Sequence, residues 1–433
     1  MIRRFKGSFG RNVVVSAGSS GVAAALTLIT TPIMTRIFEA DAYGMNGMLM
    51  TAGTLLSGMG MLGLPVALSR EHSLPERMRL VESSIQLAVL LMGACLLAVV
   101  LTWLLPVSTA THERIALSLL PLLVGVHAFQ RITDSLLTAR GGFVPQSVAR
   151  VSGAVGSRGS TIVLGLAVQA SAAIMILGDV IGRSLHILVS YRAGQLGSEV
   201  RELRWVPNLK ALFRTLGAYK DFVFHSNIAS NLPFLAAFGI QLSLGARIDG
   251  AAVGHYILAH SILSLPLSIL AMATVPVLFH RFNLAADELP EALPGLAQRA
   301  ALASVSLGLV CMLPVIIWGP ELFAFFFGEN WRPAGEAASI LAIAQILGFA
   351  VAFLVPLFRV VRKIRSWLYC EAAGTAIILL GVGLSPINGE LIEAVKRISL
   401  ALASYHLVML SGCCWVVISH MQQVRSRSMG ERH

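Results

Sequence analysis

The sequence predicts an all-α polytopic membrane protein of about twelve transmembrane helices, a parallel repeat of two six-helix bundles around a central cavity. Three observations carry this. Of the 433 residues, 56% are hydrophobic and only 13% charged, with a mean hydropathy of +0.76, whereas a soluble domain has about 45 to 50% apolar and about 25% charged residues. The apolar residues fall in stretches of about 20, the length that crosses a bilayer. The chain also resembles itself at an offset of about 210 residues.

Taken in order, the first span is predicted over residues 12–37, behind a basic start from Met1 to Arg11. That stretch is too long for the apolar region of a cleavable signal and reads as a span. Further spans are predicted over 43–69, 80–105, 115–139, 144–168 and 170–191, then over 221–245, 251–279, 299–318, 333–358, 366–386 and 398–419. An even number returns the C-terminus to the side of the N-terminus. With both termini inside, 23 of the 33 Lys and Arg fall on inner segments, while only Arg36, Arg114, Arg247, Arg332, Lys396 and Arg397 fall on outer ends. That bias is the one expected for cytoplasmic flanks. Trp103, Trp318, Trp331, Trp367 and Trp415 lie near span ends, as an interfacial aromatic belt requires.

The internal repeat sets the domain organisation. Thr35-Arg36-Ile37 and Ala42-Tyr43-Gly44 align with Ala246-Arg247-Ile248 and Ala252-Val253-Gly254; Leu64-Pro65-Val66 and Arg70 align with Val275-Pro276-Val277 and Arg281. The expected domains are residues 1–205, a six-helix bundle followed by a basic cytoplasmic linker, and 206–433, a second six-helix bundle. Because six is even, the repeat is parallel and its axis runs along the membrane normal, a transporter architecture.

The formal charge of +11 could suggest a nucleic-acid partner, but the cations punctuate apolar runs instead of covering a solvated face, so it points to lipid. Four cations, Arg131, Arg150, Arg158 and Arg183, fall inside predicted spans, where an ionisable group faces a cavity or a partner and marks a functional pathway by default. His127, Arg131 and Asp134 share one helix face, as do Asp179, Arg183 and His186 at the same spacing. Arg131 with Asp134, and Asp179 with Arg183, either neutralise one another or serve a transport path. Arg150 and Arg158 share a third stripe with no acid in their own helix. A cavity lined in this way stabilises an anion, and arginine suits bidentate contact with phosphate. Arg36 and Arg247, equivalent in the repeat, are either interfacial anchors or lining of the outer exit. The expected substrate-binding set is therefore Arg150, Arg158, Arg131, Arg183, Arg36 and Arg247, with Asp134, Asp179 and His127 as coupling or ion-pair groups.

Other features are structural. Cys95, Cys311, Cys370, Cys413 and Cys414 sit in apolar segments without disulfide or zinc spacing. Gly58, Gly60 and Gly63 spell G-x-G-x-x-G inside an expected helix with no strand before it, so they read as close-packing residues. Pro32, Pro65, Pro121, Pro233, Pro266, Pro276, Pro314 and Pro356 are expected to interrupt spans. No metalloprotease or Walker motif is present, so no enzyme, catalytic residue, cofactor or metal is expected.

The segment Thr31-Pro32-Ile33-Met34-Thr35-Arg36-Ile37-Phe38, followed by Glu39 to Gly44, resembles the start of Wzx-type polysaccharide flippases of the multidrug/oligosaccharidyl-lipid/polysaccharide exporter superfamily. Gly254-His255-Tyr256-Ile257-Leu258-Ala259 with Leu265-Pro266 looks like their eighth helix, and Phe327-Gly328-Glu329-Asn330-Trp331-Arg332-Pro333-Ala334-Gly335 is similar to the loop before their tenth. The resemblance implies a bacterial inner-membrane protein that moves a polyprenyl-pyrophosphate-linked oligosaccharide to the periplasmic leaflet. The same resemblance implies a role in O-antigen, capsule or exopolysaccharide synthesis, with membrane lipids, a polysaccharide polymerase and chain-length machinery as expected partners. The drug-antiporter branch carries acids in its lumen, whereas here no acid lies between Asn12 and Arg36. A membrane polymerase would present a large outer loop, and the longest here, Gly319 to Arg332, is short.

Overall fold

The computed structural model describes residues 2–71, 73–104, 111–197, 203, 208–220, 225, 227–384 and 389–430. The domain boundary expected at residue 205, Arg201, Arg204, Arg432, and the expected span ends at 105, 221 and 386 lie outside the described residues, as do the side chains of Arg3, Arg4, Lys6, Arg11, Arg425 and Arg427. Among the described residues twelve long helices dominate: α1 Ile2–Ile37, α2 Ala40–Gly60, α3 Leu74–Leu104, α4 Leu120–Ala139, α5 Phe143–Ala167 and α6 Ala172–Ala193, then α7 Ile228–Arg247, α8 Gly250–Glu288, α9 Leu293–Phe327, α10 Arg332–Leu354, α11 Ile364–Gly383 and α12 Leu391–Gly430. No strand occurs among the described residues. The expected all-α polytopic class is the one observed.

Among the described residues ten helical stretches are long and apolar enough to cross a membrane; α2 and α5 fall short of that apolarity. Their composition explains it. Helix α2 is diluted by Asn46 and by Gly, Ser and Thr, while α5 carries Gln146, Arg150 and Arg158 among Ser and Gly. A helix this polar is stable in lipid only where neighbours take its polar face.

Several helix ends differ from expectation. The second span breaks at Met61–Gly63, where Leu62 and Gly63 adopt φ of 48° and 71° before the short helix Leu64–Leu68. Gly63 is therefore a left-handed turn residue, not a packing residue inside a helix. Pro65, Pro121 and Pro356 stand in the first turns of helices, where a missing N–H costs nothing and the fixed φ is already helical. Pro32, Pro233, Pro266, Pro276 and Pro314 do lie within helices, and α9 kinks at Trp318 (φ −123°, ψ 23°), two residues before Pro320.

The described residues form two compact units. One is Met1–Phe234 with Asp249–Gly254; the other is Leu235–Ile248 with His255–His433. In the first, Met61, Leu64, Leu68, Leu80, Val81, Ala128, Ile132 and Leu136 make one buried cluster, and Leu49, Leu123, Val126, Ile176 and Val180 a second. The amphipathic helix Leu209–Ala218, capped by Asn208 Oδ1 accepting from the Ala211 N–H at 3.0 Å, packs Leu216 on the first cluster. Beside it runs an open groove of about 1050 Å³ between Glu76–Gln86 and Asn208–Tyr219. Its charges are partly self-compensated, since Arg79 donates to Glu76 at 2.6 Å. Tyr219 donates to Glu71 at 3.3 Å, and burial together with the Glu71 charge pushes its phenol above the ordinary range.

The first turn of α8 belongs to this unit, for a backbone reason. A Cβ on Gly44 would overlap the Gly250 carbonyl oxygen and lie 2.9 Å from the Gly254 nitrogen, and one on Gly254 would overlap the Ala40 carbonyl oxygen. The two glycines that correspond in the sequence repeat thus face one another where α2 and α8 begin, and only residues without a Cβ permit that approach.

In the second unit Phe282, Phe323, Phe349, Phe358 and Trp331 are the largest fully enclosed side chains. Trp331, 2% exposed, meets the His255 ring edge-on at 5.6 Å between centroids. Trp331→Ala is expected to destabilise this unit by about 3 kcal/mol, because the lost contacts leave a cavity that neighbours refill only in part. The check is the thermal midpoint of purified protein in detergent, which should fall clearly below that of the parent.

Candidate cation-lined site in the first unit

The site is built on α5 and α6, which cross almost backbone to backbone. A Cβ on Gly182 would sit 2.5 Å from the Ser157 nitrogen and Cβ and 2.6 Å from the Gly153 carbonyl oxygen. Small residues on both helices permit this approach, and it brings polar residues of α5 and α6 into the lining of one cavity. The cavity has a volume of about 190 Å³. Arg150, Ser157 and Arg158 of α5, Asp179, Arg183 and His186 of α6, Gln130 of α4 and Thr27 of α1 line it.

Each arginine is held differently. Arg150 Nη1 donates to Ser20 Oγ at 2.5 Å, Ser19 Oγ at 3.1 Å and the Ser16 carbonyl at 3.2 Å, all on α1. Arg183 Nη1 donates to Gln130 Oε1 at 2.6 Å, while its buried Nε has no partner. Arg158 Nη1 points at Met34 Sδ, 3.1 Å away. A thioether is a weak acceptor, and among the described residues Arg158 has no ion-pair partner. Among the described residues, three guanidinium groups with donors to spare and a single carboxylate, Asp179, therefore line the cavity.

The acids are engaged across helices. Asp179 Oδ1 accepts from Ser157 Oγ at 2.5 Å, and Asp134 Oδ1 accepts from His186 Nε2 at 2.9 Å. Neither intrahelical pair anticipated from the sequence, Asp179 with Arg183 or Arg131 with Asp134, forms a salt bridge among the described residues. Arg131 lies outside the cavity lining; its Nη2 donates to the Thr54 carbonyl at 3.4 Å. His127 is buried against the same helix α2, with Nδ1 donating to the Leu123 carbonyl at 3.0 Å and Nε2 3.4 Å from Thr54 Oγ1. Arg36 is exposed at the end of α1. Arg247 belongs to the second unit, where it donates to the Val382 carbonyl at 3.2 Å and to the Gly383 carbonyl. These carbonyls end α11, where a cation offsets the negative end of the helix dipole.

The structure thus gathers Arg150, Arg158, Arg183 and Asp179 in one lining, with Asp134 attached through His186; Arg131, His127 and Arg36 are not part of that lining, and Arg247 belongs to the other unit. Gln130, Thr27 and the Ser16–Ser20 hydroxyl ladder had not been singled out from the sequence. Their only signal was a polar residue at helical spacing in a predicted span.

Residues 9–283 match the family model described as polysaccharide biosynthesis protein. The chain belongs to the polysaccharide biosynthesis protein family. No curated protein matches it in sequence. Among solved structures it is similar to the lipid II flippase MurJ in an inward closed conformation, with 12% identity over 96% of this chain and 93% of that one and a TM-score of 0.70. It is also similar to an inward-facing multidrug resistance MATE family transporter of the MOP superfamily, with 13% identity, 93% and 99% coverage and a TM-score of 0.67. A third similar structure is a MOP superfamily transporter from Pyrococcus furiosus whose binding pocket is described as reversed in polarity, with 13% identity, 95% coverage of both chains and a TM-score of 0.58. At these identities the likeness speaks for the fold. This member of the polysaccharide biosynthesis protein family therefore has the fold of MOP superfamily transporters, and the Wzx-type resemblance of its sequence holds at the level of family and fold.

Proposed function

We propose that the protein is a flippase for polyprenyl-pyrophosphate-linked oligosaccharide, with the pyrophosphate held between Arg150, Arg158 and Arg183. The observation that carries this reading is the cavity itself: three guanidinium groups against one carboxylate, with the Arg183 Nε and most Arg158 donors unsatisfied. Arg150, Arg158 and Arg183 are half-buried, and partly desolvated cations short of acceptors favour the anion that completes their hydrogen bonds. At about 30 Å³ per water, about 190 Å³ is the scale of a phosphate group pair, not of a sugar repeat. The headgroup anion then seats in protein while the polyprenyl chain stays in lipid. Fold likeness to a lipid II flippase and membership of a polysaccharide family support the same substrate class.

In this reading transport is by alternating access. The anion binds from the cytoplasmic side, the cation site changes its accessibility, and the headgroup leaves on the periplasmic side. Asp179 and Asp134, each hydrogen-bonded to a neighbouring helix, keep the guanidinium groups free for the ligand. The bias of Lys and Arg in the sequence supports cytoplasmic termini, and the resemblance to Wzx-type flippases supports a bacterial inner-membrane location. A polymerase and chain-length machinery would take over the delivered unit. A drug exporter of the same fold would bind cations, and the charge of this cavity disfavours them.

The test is complementation of a null strain with Arg150→Ala and Arg158→Ala. Each change removes charge-assisted hydrogen bonds of about 1.5 to 3 kcal/mol, so surface polysaccharide should fall by about tenfold or more at unchanged protein level. Normal polysaccharide from both variants would sink the cation-site reading.

A further inference from the structure

The second unit holds a carboxylate that no step above uses. Glu371 lies on α11, about 10 Å along the helix from Ile364 at 1.5 Å per residue, within a stretch apolar enough to cross a membrane. It is 4% exposed, and no other Asp or Glu among the described residues is so enclosed. Both its oxygens are engaged: Trp367 Nε1 donates to Oε1 at 3.0 Å and Tyr405 Oη donates to Oε2 at 2.9 Å. No salt bridge is formed to it among the described residues. The surroundings were built for this contact, since a Cβ on Gly374 would overlap the Tyr405 ring that sits there.

The ionisable groups around it complete the picture. On α11 itself the neighbour is Cys370, whose sulfur lies against Gly412 of α12. On α12, Tyr405 faces the carboxylate and His406 turns instead to Gly348 of α10. From Pro356–Val360, Arg359 stacks on the Trp367 ring at 5.3 Å. From α7, Arg247 is spent on the carbonyls at the far end of α11.

We propose that Glu371 is a proton-binding site of the second unit, distinct from the anion cavity of the first. The two hydrogen-bond partners suit a group that exists in both forms. An indole N–H only donates, so Trp367 pins Oε1 whether or not Glu371 is charged. A phenol can donate or accept, so Tyr405 donates to the carboxylate and accepts from the carboxylic acid. Uptake takes a proton from hydronium, forms an O–H bond on Oε2 and leaves water; release is the reverse. An ionised carboxylate without a cation is costly in an apolar span, and a glutamine would tie the same two helices together without that cost. The proton would be exchanged during transport, and this last clause alone rests on the flippase reading.

The experiment is an infrared difference titration of the purified full-length protein in lipid vesicles between about pH 4 and about pH 9, a range that brackets carboxylates with ordinary and raised affinity. The parent should show a protonated-carboxyl band that Glu371→Gln removes and Tyr405→Phe displaces in frequency. Glu371→Gln keeps an acceptor for Trp367, so a structural role alone would leave the carboxyl titration of the parent and that variant identical, which would overturn the proposal. If Glu371→Gln yields no folded protein, the band shift in Tyr405→Phe decides alone, and an unshifted band overturns it. In the complemented strain Glu371→Gln should cut surface polysaccharide about tenfold at parental protein level; an undiminished yield overturns the role in transport. A parent that titrates but supports no polysaccharide would instead count against the flippase reading.

Discussion

Charge reversal at Arg158 is expected to abolish surface polysaccharide in a complemented strain while leaving protein level unchanged, and Arg158→Lys to restore only part of it. Arg158 borders the cavity and its only hydrogen-bond partner among the described residues is a thioether sulfur, so little of the fold depends on it. A glutamate there converts attraction into repulsion of about 4 kcal/mol at about 4 Å and an effective dielectric of about 20. The loss of binding should exceed a hundredfold, against about tenfold for the alanine change. Lysine keeps the charge but not the planar fork that meets two phosphate oxygens at once, so an intermediate phenotype separates anion binding from mere packing. The measurement is polysaccharide yield normalised to membrane-inserted protein, and equal yields from the glutamate and lysine variants would refute the anion role.

How much of this was legible in the sequence depends on the kind of information involved. Helix α5 was expected over 144–168 and is Phe143–Ala167; α6 was expected over 170–191 and is Ala172–Ala193. Length and apolarity fix such elements because lipid demands that every backbone group be bonded within its own helix. The break at Met61–Gly63 was hidden, since a turn flanked by apolar residues looks like continuous span. Partners were hidden more deeply. Spacing along α6 put Asp179 beside Arg183, yet Asp179 bonds Ser157 of α5, whose backbone lies against Gly182, and Arg183 bonds Gln130 of α4. Periodicity records which residues share a face, not which helix that face meets. Glu371 was visible throughout as a lone acid in the predicted span 366–386, but its hydrogen bonds come from α12 as well as its own helix, and one chain gives no sign of that pairing.

Glycine positions in the α5–α6 crossing give the sharpest contrast available for the fold. Gly182→Leu should prevent stable insertion, whereas Gly159→Leu, on the same pair of helices, should leave protein level and thermal midpoint near those of the parent. At Gly182 the new Cβ would meet backbone atoms of α5, the Ser157 nitrogen at 2.5 Å and the Gly153 oxygen at 2.6 Å. Backbone cannot move aside as the end of a side chain can, so the helices must separate, and overpacking of even one methylene in such an interface costs about 1 to 3 kcal/mol. At Gly159 nothing lies within 4 Å of the added Cβ, and leucine is the better helix former by about 0.8 kcal/mol or less. Because Arg150, Arg158, Asp179 and Arg183 ride on these two helices, parting them also dismantles the cavity. An intermediate substitution, Gly182→Ala, should therefore lower polysaccharide yield more than it lowers protein level, since a displacement of a few tenths of an ångström between α5 and α6 spoils the spacing of three guanidinium groups before it unfolds the unit. Equal behaviour of Gly182→Leu and Gly159→Leu would show that the crossing does not hold the site together.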